Sequence, residues 1–364
     1  MRIGLVGLGN AGRTLHLPAL QGLPGISVSV ADSEASRREA AARTGVTAFP
    51  SLEALLAAGV PDALIVATPP ETHVALCTQA LAAGAHVICE KPFASSVADA
   101  DAILGAAIHA GRRIALNHEF REMPIFRALL DQVGVADVGR PVFLQAWQNM
   151  DLPPWKEPSW RGQLLMGVLY EAGLHLVDYA LALFGERPVA VTAAMSSCGA
   201  RAEASDAVAL VTLEFSRGRL AQVIQNRLCP GETQYFEVRA DCEHASLRAS
   251  FGGRARISAG LHRSTRPHLR LEVGTSGIAW REAGHARRII ASNPRDPAMV
   301  ATRTLIRKTL DAFVSGAAPP VTGDQGREVL QVLAACYRSA ELGRRVTMDE
   351  SALIGTVRFG AAAS

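Results

Sequence analysis

The sequence predicts an α/β protein in two parts. Residues 1–118 read as a doubly wound parallel sheet, and residues 119–364 as a second α/β domain with an open, mainly antiparallel sheet. Three observations carry this. Apolar, β-branched runs alternate with helical stretches through the first third, the pattern of a parallel sheet covered on both faces. The first run ends at Gly7-Leu8-Gly9-Asn10-Ala11-Gly12, a G-x-G-x-x-G turn, with an acid downstream at Asp32. After residue 118 strand-like runs follow one another without helices between, which implies antiparallel pairing.

The elements follow in order. "RIGLVGLG" is a strand ending at glycines, and "AGRTLHLPALQGL" the helix it feeds. "ISVSVAD" is a second strand closing on Asp32, and "EASRREAAARTG" a second helix stopped by Gly45. "DALIVAT" is a third strand, followed by a helix from about Glu71 to Ala83. "HVICEKP" and "RIALNHEF" add two strands around a helix from about Ser96 to Ala110. In the second part "MGVLYEAGLHLVDYALALFG" is an apolar helix interrupted by Glu171, His175 and Asp178, which a regular helix places on one stripe. "VAVTAAMSSC", "DAVALVTLEF", "GRLAQVIQNRL" and "TQYFEVRAD" are successive strands. "MVATRTLIRKTLDAFVSG" and a closing helix at about 325–343 finish the chain.

Composition narrows the classes. Hydrophobic residues make up 49% of 364, enough for a large core, and with aromatics at 5% that core is mostly Ala, Val, Leu and Ile. A net charge of +3 is too small to argue for nucleic acid or a membrane surface. The six cysteines form no C-x-x-C pair and no zinc-spaced cluster, so no metal is expected and the thiols read as core residues in a reducing compartment. No signal peptide or long apolar span is visible, and the expectation is a cytoplasmic protein. Residues 254–308 are basic, with twelve Lys/Arg against Glu272, Glu282 and Asp296, and read as a solvated sheet edge or a subunit interface.

The glycine motif has a physical job at each position. Gly7 permits the tight turn, Gly9 lets the backbone approach a pyrophosphate, and Gly12 lets the helix pack on the strand, while Leu8, Asn10 and Ala11 offer backbone at the helix N-terminus. Asp32 can accept hydrogen bonds from a ribose diol, which points to NAD in a Rossmann unit. Ser33, Arg37 and Arg38 keep NADP open, because they can hold a 2′-phosphate if they point inward.

With "CEKPF", residues 89–93, the chain resembles the Gfo/Idh/MocA family of NAD(P)-dependent oxidoreductases. The resemblance extends through "ATPPETH", "LNHEF", "EAGLH" with Asp178, and the closing helix. It implies a cofactor edge formed by Ala67, Thr68, Pro69, His73, Glu90, Lys91 and Asn117, with Lys91 facing the substrate. It also implies substrate contacts from His118, Trp160, Arg161, Glu171 and His175, a carbohydrate-like substrate, and a homodimer or homotetramer. The chain departs from the family in three places. His118 and Glu119 stand where Arg is common, Glu171 stands where Asp is commoner, and only Gly167 is left of the glycine-rich run before the helix.

The implied reaction moves a hydride between nicotinamide and a secondary hydroxyl or keto group of a sugar, cyclitol or sugar derivative. It needs a proton carrier near neutral pKa and a cation beside the oxygen. His175 and Lys91 suit those roles, with either as the immediate proton partner, and Glu171 can orient the His175 ring and raise its pKa. Asp178 reads as a structural brace. Two alternatives share the motifs: an NAD-dependent glycoside hydrolase working by transient oxidation and elimination, and a cofactor-binding regulator without catalysis.

Overall fold

The computed structural model describes residues 1–152, 167–197, 206–231, 233–251, 254–260, 268–274 and 276–360. Strands β1 (Arg2–Val6), β2 (Ser27–Ala31), β3 (Thr47–Phe49), β4 (Ala63–Val66), β5 (His86–Cys89) and β6 (Ile114–Leu116) form one parallel sheet in the order β3-β2-β1-β4-β5-β6. Helices α1 (Leu17–Gln21), α2 (Ala35–Ala42), α3 (Leu52–Ala58), α4 (His73–Ala82) and α5 (Val97–His109) connect the strands. The four residues of β4 are all buried, as a strand covered on both faces requires. Ser96 starts α5 by accepting a hydrogen bond from the Asp99 amide at 3.1 Å. β3 and α3 are short elements that the sequence pattern does not announce.

The second sheet has nine strands in the order β16-β15-β12-β11-β7-β10-β9-β8-β17. They are β7 (Pro141–Asn149), β8 (Ala190–Ser196), β9 (Val208–Glu214), β10 (Leu220–Asn226), β11 (Gln234–Cys242), β12 (Ser246–Ser250), β15 (Ile278–Ala283), β16 (Ala286–Ser292) and β17 (Val346–Thr347); β13 (Arg254–Gly260) and β14 (His268–Gly274) pair separately. Pairing is antiparallel throughout the nine except between β7 and β10. The remaining helices are α6 (Pro124–Gln132), α7 (Leu174–Phe184), α8 (Pro297–Ser315), α9 (Gly323–Leu342) and α10 (Ser351–Ile354). The closing helix is α9, held at its start by a capping box between Thr322 and Gln325.

The parallel sheet ends with β6 at Leu116, but its packing does not end there. Ile306, Leu310 and Phe313 of α8 share a core with Ile3, Leu5, Leu17 and Leu20. α9 lies between the units, against α5 on one side and β8 and α7 on the other. In the basic stretch Arg281 pairs with Asp137 at 2.7 Å, Lys308 pairs with Glu122 at 2.6 Å, and Arg287 lies over the Trp280 ring. Among the described residues no helix is long and apolar enough to cross a membrane, and no group of three His, Cys, Asp or Glu can hold a metal.

Candidate active site

The glycine turn lies at the carboxyl end of β1, beside the carboxyl end of β4. Gly7 has φ +93°, and a Cβ there would press on the Ala67 carbonyl. A Cβ on Gly12 would overlap the Gly7 carbonyl oxygen, whereas one on Gly9 would meet nothing within 4 Å. Two glycines therefore serve the fold, and the third keeps an outward cradle open, with half-buried Ala11 and exposed Asn10 beside it. That open backbone at a helix start fits a pyrophosphate. Gly9→Val is expected to weaken NADH binding about tenfold or more, with a melting temperature close to wild type. Gly12→Ala is expected to cost about 3 kcal/mol of stability. Fluorescence titration and thermal unfolding separate the two effects.

Asp32 lies at the end of β2, and its carboxylate accepts from the Leu8 amide at 2.7 Å and the Glu34 amide at 2.8 Å. These bonds tie the glycine turn to the acid and leave further lone pairs for a diol. Arg37 is 3.7 Å from Asp32 and pairs with Glu34 at 2.7 Å, while Arg38 donates to the Asp32 and Ser33 carbonyls. Ser33 is exposed. The Ala67, Thr68 and Pro69 loop follows β4 with Thr68 and Pro69 partly open.

His73 differs from its expected place at the cofactor, because its ring is wholly enclosed. Burial lowers its pKa and keeps it neutral. Nε2 lies 2.9 Å from the Thr68 carbonyl, and Nδ1 lies 3.3 Å from Cys89 Sγ. Nδ1 also lies 3.1 Å from the Phe93 carbonyl, so the ring sits between two backbone carbonyls and braces the cofactor loop from behind whichever nitrogen carries the proton. Asn117 is likewise enclosed and donates to Glu90 Oε1 at 2.8 Å, so it supports the edge without surface to offer a ligand.

Glu90 gathers three elements. Its Oε1 lies 2.6 Å from Nε2 of buried His16, and its Oε2 accepts from the Lys91 amide at 2.9 Å. Burial opposes ionisation, but the hydrogen bond and charge of His16, with Lys91 beside it, bring the Glu90 pKa down to about 2. Lys91 then reaches across to the second unit. Its Nζ donates to the Glu171 carbonyl at 3.2 Å and lies 3.8 Å from Glu171 Oε1.

The helix carrying Glu171 opens with a π-helical turn, Leu169–Gly173, before α7. A π turn holds more residues than an α turn, so the expected regular stripe does not form, and such turns recur at functional sites. The Glu171 carboxylate pairs with Arg227, at the end of β10, and faces Lys91. It therefore sits as a counter-ion between these two cations, and the orienting bond to His175 that the sequence suggests is not among the contacts of the described residues. The direction of the His175 pKa is also opposite to expectation. Burial pushes it well below the ordinary 6.5, and Lys91 and His118 push the same way. The ring packs edge-on to Phe120 with centroids 4.6 Å apart. Buried Asp206 caps the turn through the Gly167 and Leu169 amides at 2.8 and 2.9 Å, and Tyr337 donates to it at 2.8 Å. Tyr170 pins the turn to the Lys91 loop by donating to the Ala94 carbonyl at 2.9 Å.

Asp178 braces the interior. Arg121 donates to both its oxygens, at 2.9 and 2.6 Å, and to Gln325 of α9 at 3.1 Å. His118 is buried with Nδ1 3.6 Å from Asp178, and burial lowers its pKa. Burial and the charge of Glu90 raise the Glu119 carboxyl to about 8. Trp160 and Arg161 lie outside the described residues. A cleft of about 670 Å³ shares Arg121 with this brace, but neither Lys91, Glu171 nor His175 lines it. The candidate site is therefore the convergence of side chains at the carboxyl end of the parallel sheet. His16, Arg121, Asp206 and Arg227 were not singled out from sequence.

A family profile described as "Oxidoreductase family, NAD-binding Rossmann fold" matches residues 1–118, and the Gfo/Idh/MocA C-terminal domain profile matches 126–248. UDP-N-acetylglucosamine 3-dehydrogenase of Acidithiobacillus ferrooxidans is 33% identical over 68% of this chain and 74% of its own. Myo-inositol 2-dehydrogenase of Thermotoga maritima is 28% identical over 96% of this chain and 99% of its own. An uncharacterised oxidoreductase of Escherichia coli is 29% identical over 57% of this chain, and this chain spans 60% of that relative's length. Two matched profiles in order, on a glycine turn and a Lys91 loop with this geometry, place the chain in the Gfo/Idh/MocA family of NAD(P)-dependent oxidoreductases.

Proposed function

We propose that this enzyme transfers a hydride between nicotinamide, with NAD preferred, and a secondary hydroxyl or keto group of a sugar, cyclitol or sugar derivative. The observation that carries the reading is the reach of Lys91 Nζ from the cofactor edge to Glu171, 3.2 Å away on the substrate-side helix. The relatives' activities on an amino-sugar nucleotide and on inositol support the substrate class. The dinucleotide, when bound, supplies hydride acceptance. In the oxidation direction Lys91 donates to the substrate oxygen and stabilises its growing negative charge. His175, kept neutral, accepts the hydroxyl proton and returns it in reduction. Glu171, held by Arg227, fixes the Lys91 ammonium. The panel that tests the reading pairs NAD or NADP with polyols, aldoses, cyclitols and nucleotide sugars. Stoichiometric reduced nicotinamide with at least one of them supports it, and no absorbance change with any sinks it.

The histidine adds a pH signature. A base must be unprotonated, and the His175 pKa is depressed, so the acid limb of kcat for oxidation is expected below the ordinary 6.5. Removing the Lys91 charge relieves part of that depression, and in Lys91→Met the His175 titration, followed by NMR, is expected at higher pH. A limb at or above 6.5 in wild type would count against His175 as the base.

A further inference from the structure

His16 takes no part in the reaction as drawn, yet it is wholly buried in the π-helical turn Gly12–His16 that leads into α1. Its Nε2 lies 2.6 Å from Glu90 Oε1. The same carboxylate accepts from Asn117 Nδ2 at 2.8 Å and from the Lys91 amide at 2.9 Å. One residue on from that carboxylate, the Lys91 side chain spans to Glu171. A continuous polar chain thus runs from the dinucleotide helix to the substrate-side helix, through a carboxylate only 6% exposed. A buried carboxylate keeps one place and one charge state only where partners hold it.

We propose that His16 is a positioning residue for Lys91, acting through Glu90: it holds the carboxylate that fixes the backbone from which Lys91 reaches the substrate oxygen. The proposal rests on Lys91 acting in the reaction proposed above. Burial without a partner would let Glu90 take up a proton, and the Lys91 amide and Asn117 would then compete for a poorer acceptor. The dinucleotide helix and the lysine loop are mechanically joined at this point.

The test uses the full chain and three substitutions. His16→Leu keeps bulk and removes the donor, His16→Asn keeps polarity but is too short, and His16→Gln reaches Glu90. In Leu and Asn, kcat is expected to fall about tenfold or more, while KM for the sugar and the NADH dissociation constant move less than about threefold. In Gln, kcat is expected within about threefold of wild type. Leu and Asn should also raise the acid limb of the pH profile, as Glu90 begins to titrate. A merely structural residue would lower the melting temperature in all three and leave kcat and the pH profile unmoved. That result, or Gln as damaged as Leu, overturns the proposal. A second reading needs no turnover: the acylation rate of Lys91 by acetic anhydride, mapped by peptide mass. It should change in Leu and Asn and not in Gln, and no change in any overturns the inference. If wild type turns over no sugar, the proposed function fails, and the Lys91 acylation rate still decides the role of His16.

Discussion

Replacing Lys91 by methionine is expected to lower kcat by roughly a thousandfold, with the NADH dissociation constant within about threefold of wild type. Methionine keeps most of the stem and removes the ammonium. The loss combines two effects: the oxygen loses its charged donor, and the hydride step loses stabilisation of the developing alkoxide. On the proposed reading dinucleotide binding draws on the Gly9 backbone and Asp32, and the Lys91 Nζ reaches instead to Glu171. Steady-state kinetics with a fluorescence titration measure both quantities. A fall in kcat of less than about tenfold would remove Lys91 from the chemistry. The split separates it from the brace residues, whose loss is expected to show as unfolding.

Asp178→Ala is expected to destabilise the protein by about 3–5 kcal/mol, read as a lower urea midpoint. Arg121 is buried and donates twice to this one carboxylate. Removing the carboxylate leaves a guanidinium without its counter-charge in a low-dielectric interior, the costly half of any buried ion pair. Asp178→Asn retains one acceptor and is expected to cost less. Because the pair is shielded, salt at about 0.5 M should change the wild-type value little. Turnover per folded molecule at low temperature should survive within about tenfold, since the Asp178 carboxylate is engaged by Arg121. A loss below about 1 kcal/mol would mean the interior relaxes around Arg121.

Much of the first unit was legible because its signals are local. Gly7, Gly9, Gly12 and Asp32 fall in one strand-turn-helix-strand passage, and Lys91 follows a buried strand. The nine-stranded sheet was legible as a class from consecutive strand runs, but the parallel β7–β10 pair joins segments 77 residues apart and leaves no local trace. The same holds for the residues that set the site. His16 meets Glu90 across 74 positions, Arg227 meets Glu171 across 56, and Arg121 meets Asp178 across 57. Glu171 and His175 were visible as polar interruptions of an apolar helix. The π turn that holds Glu171 was not, because a four-residue spacing reads alike in either winding until partners such as Arg227 and Asp206 are in place.

The return of α8 to the first core changes how the chain is best divided. After residues 124–292, α8 returns to the first core with Ile306, Leu310 and Phe313, and only then does β17 add the last strand of the second sheet. The return is stitched again where the Leu116 amide donates to the Val321 carbonyl at 3.1 Å, against the free edge of β6. A change of length in the strands between α6 and α8 can therefore leave the walls of the first core in place, provided α8 keeps the apolar face that returns to it.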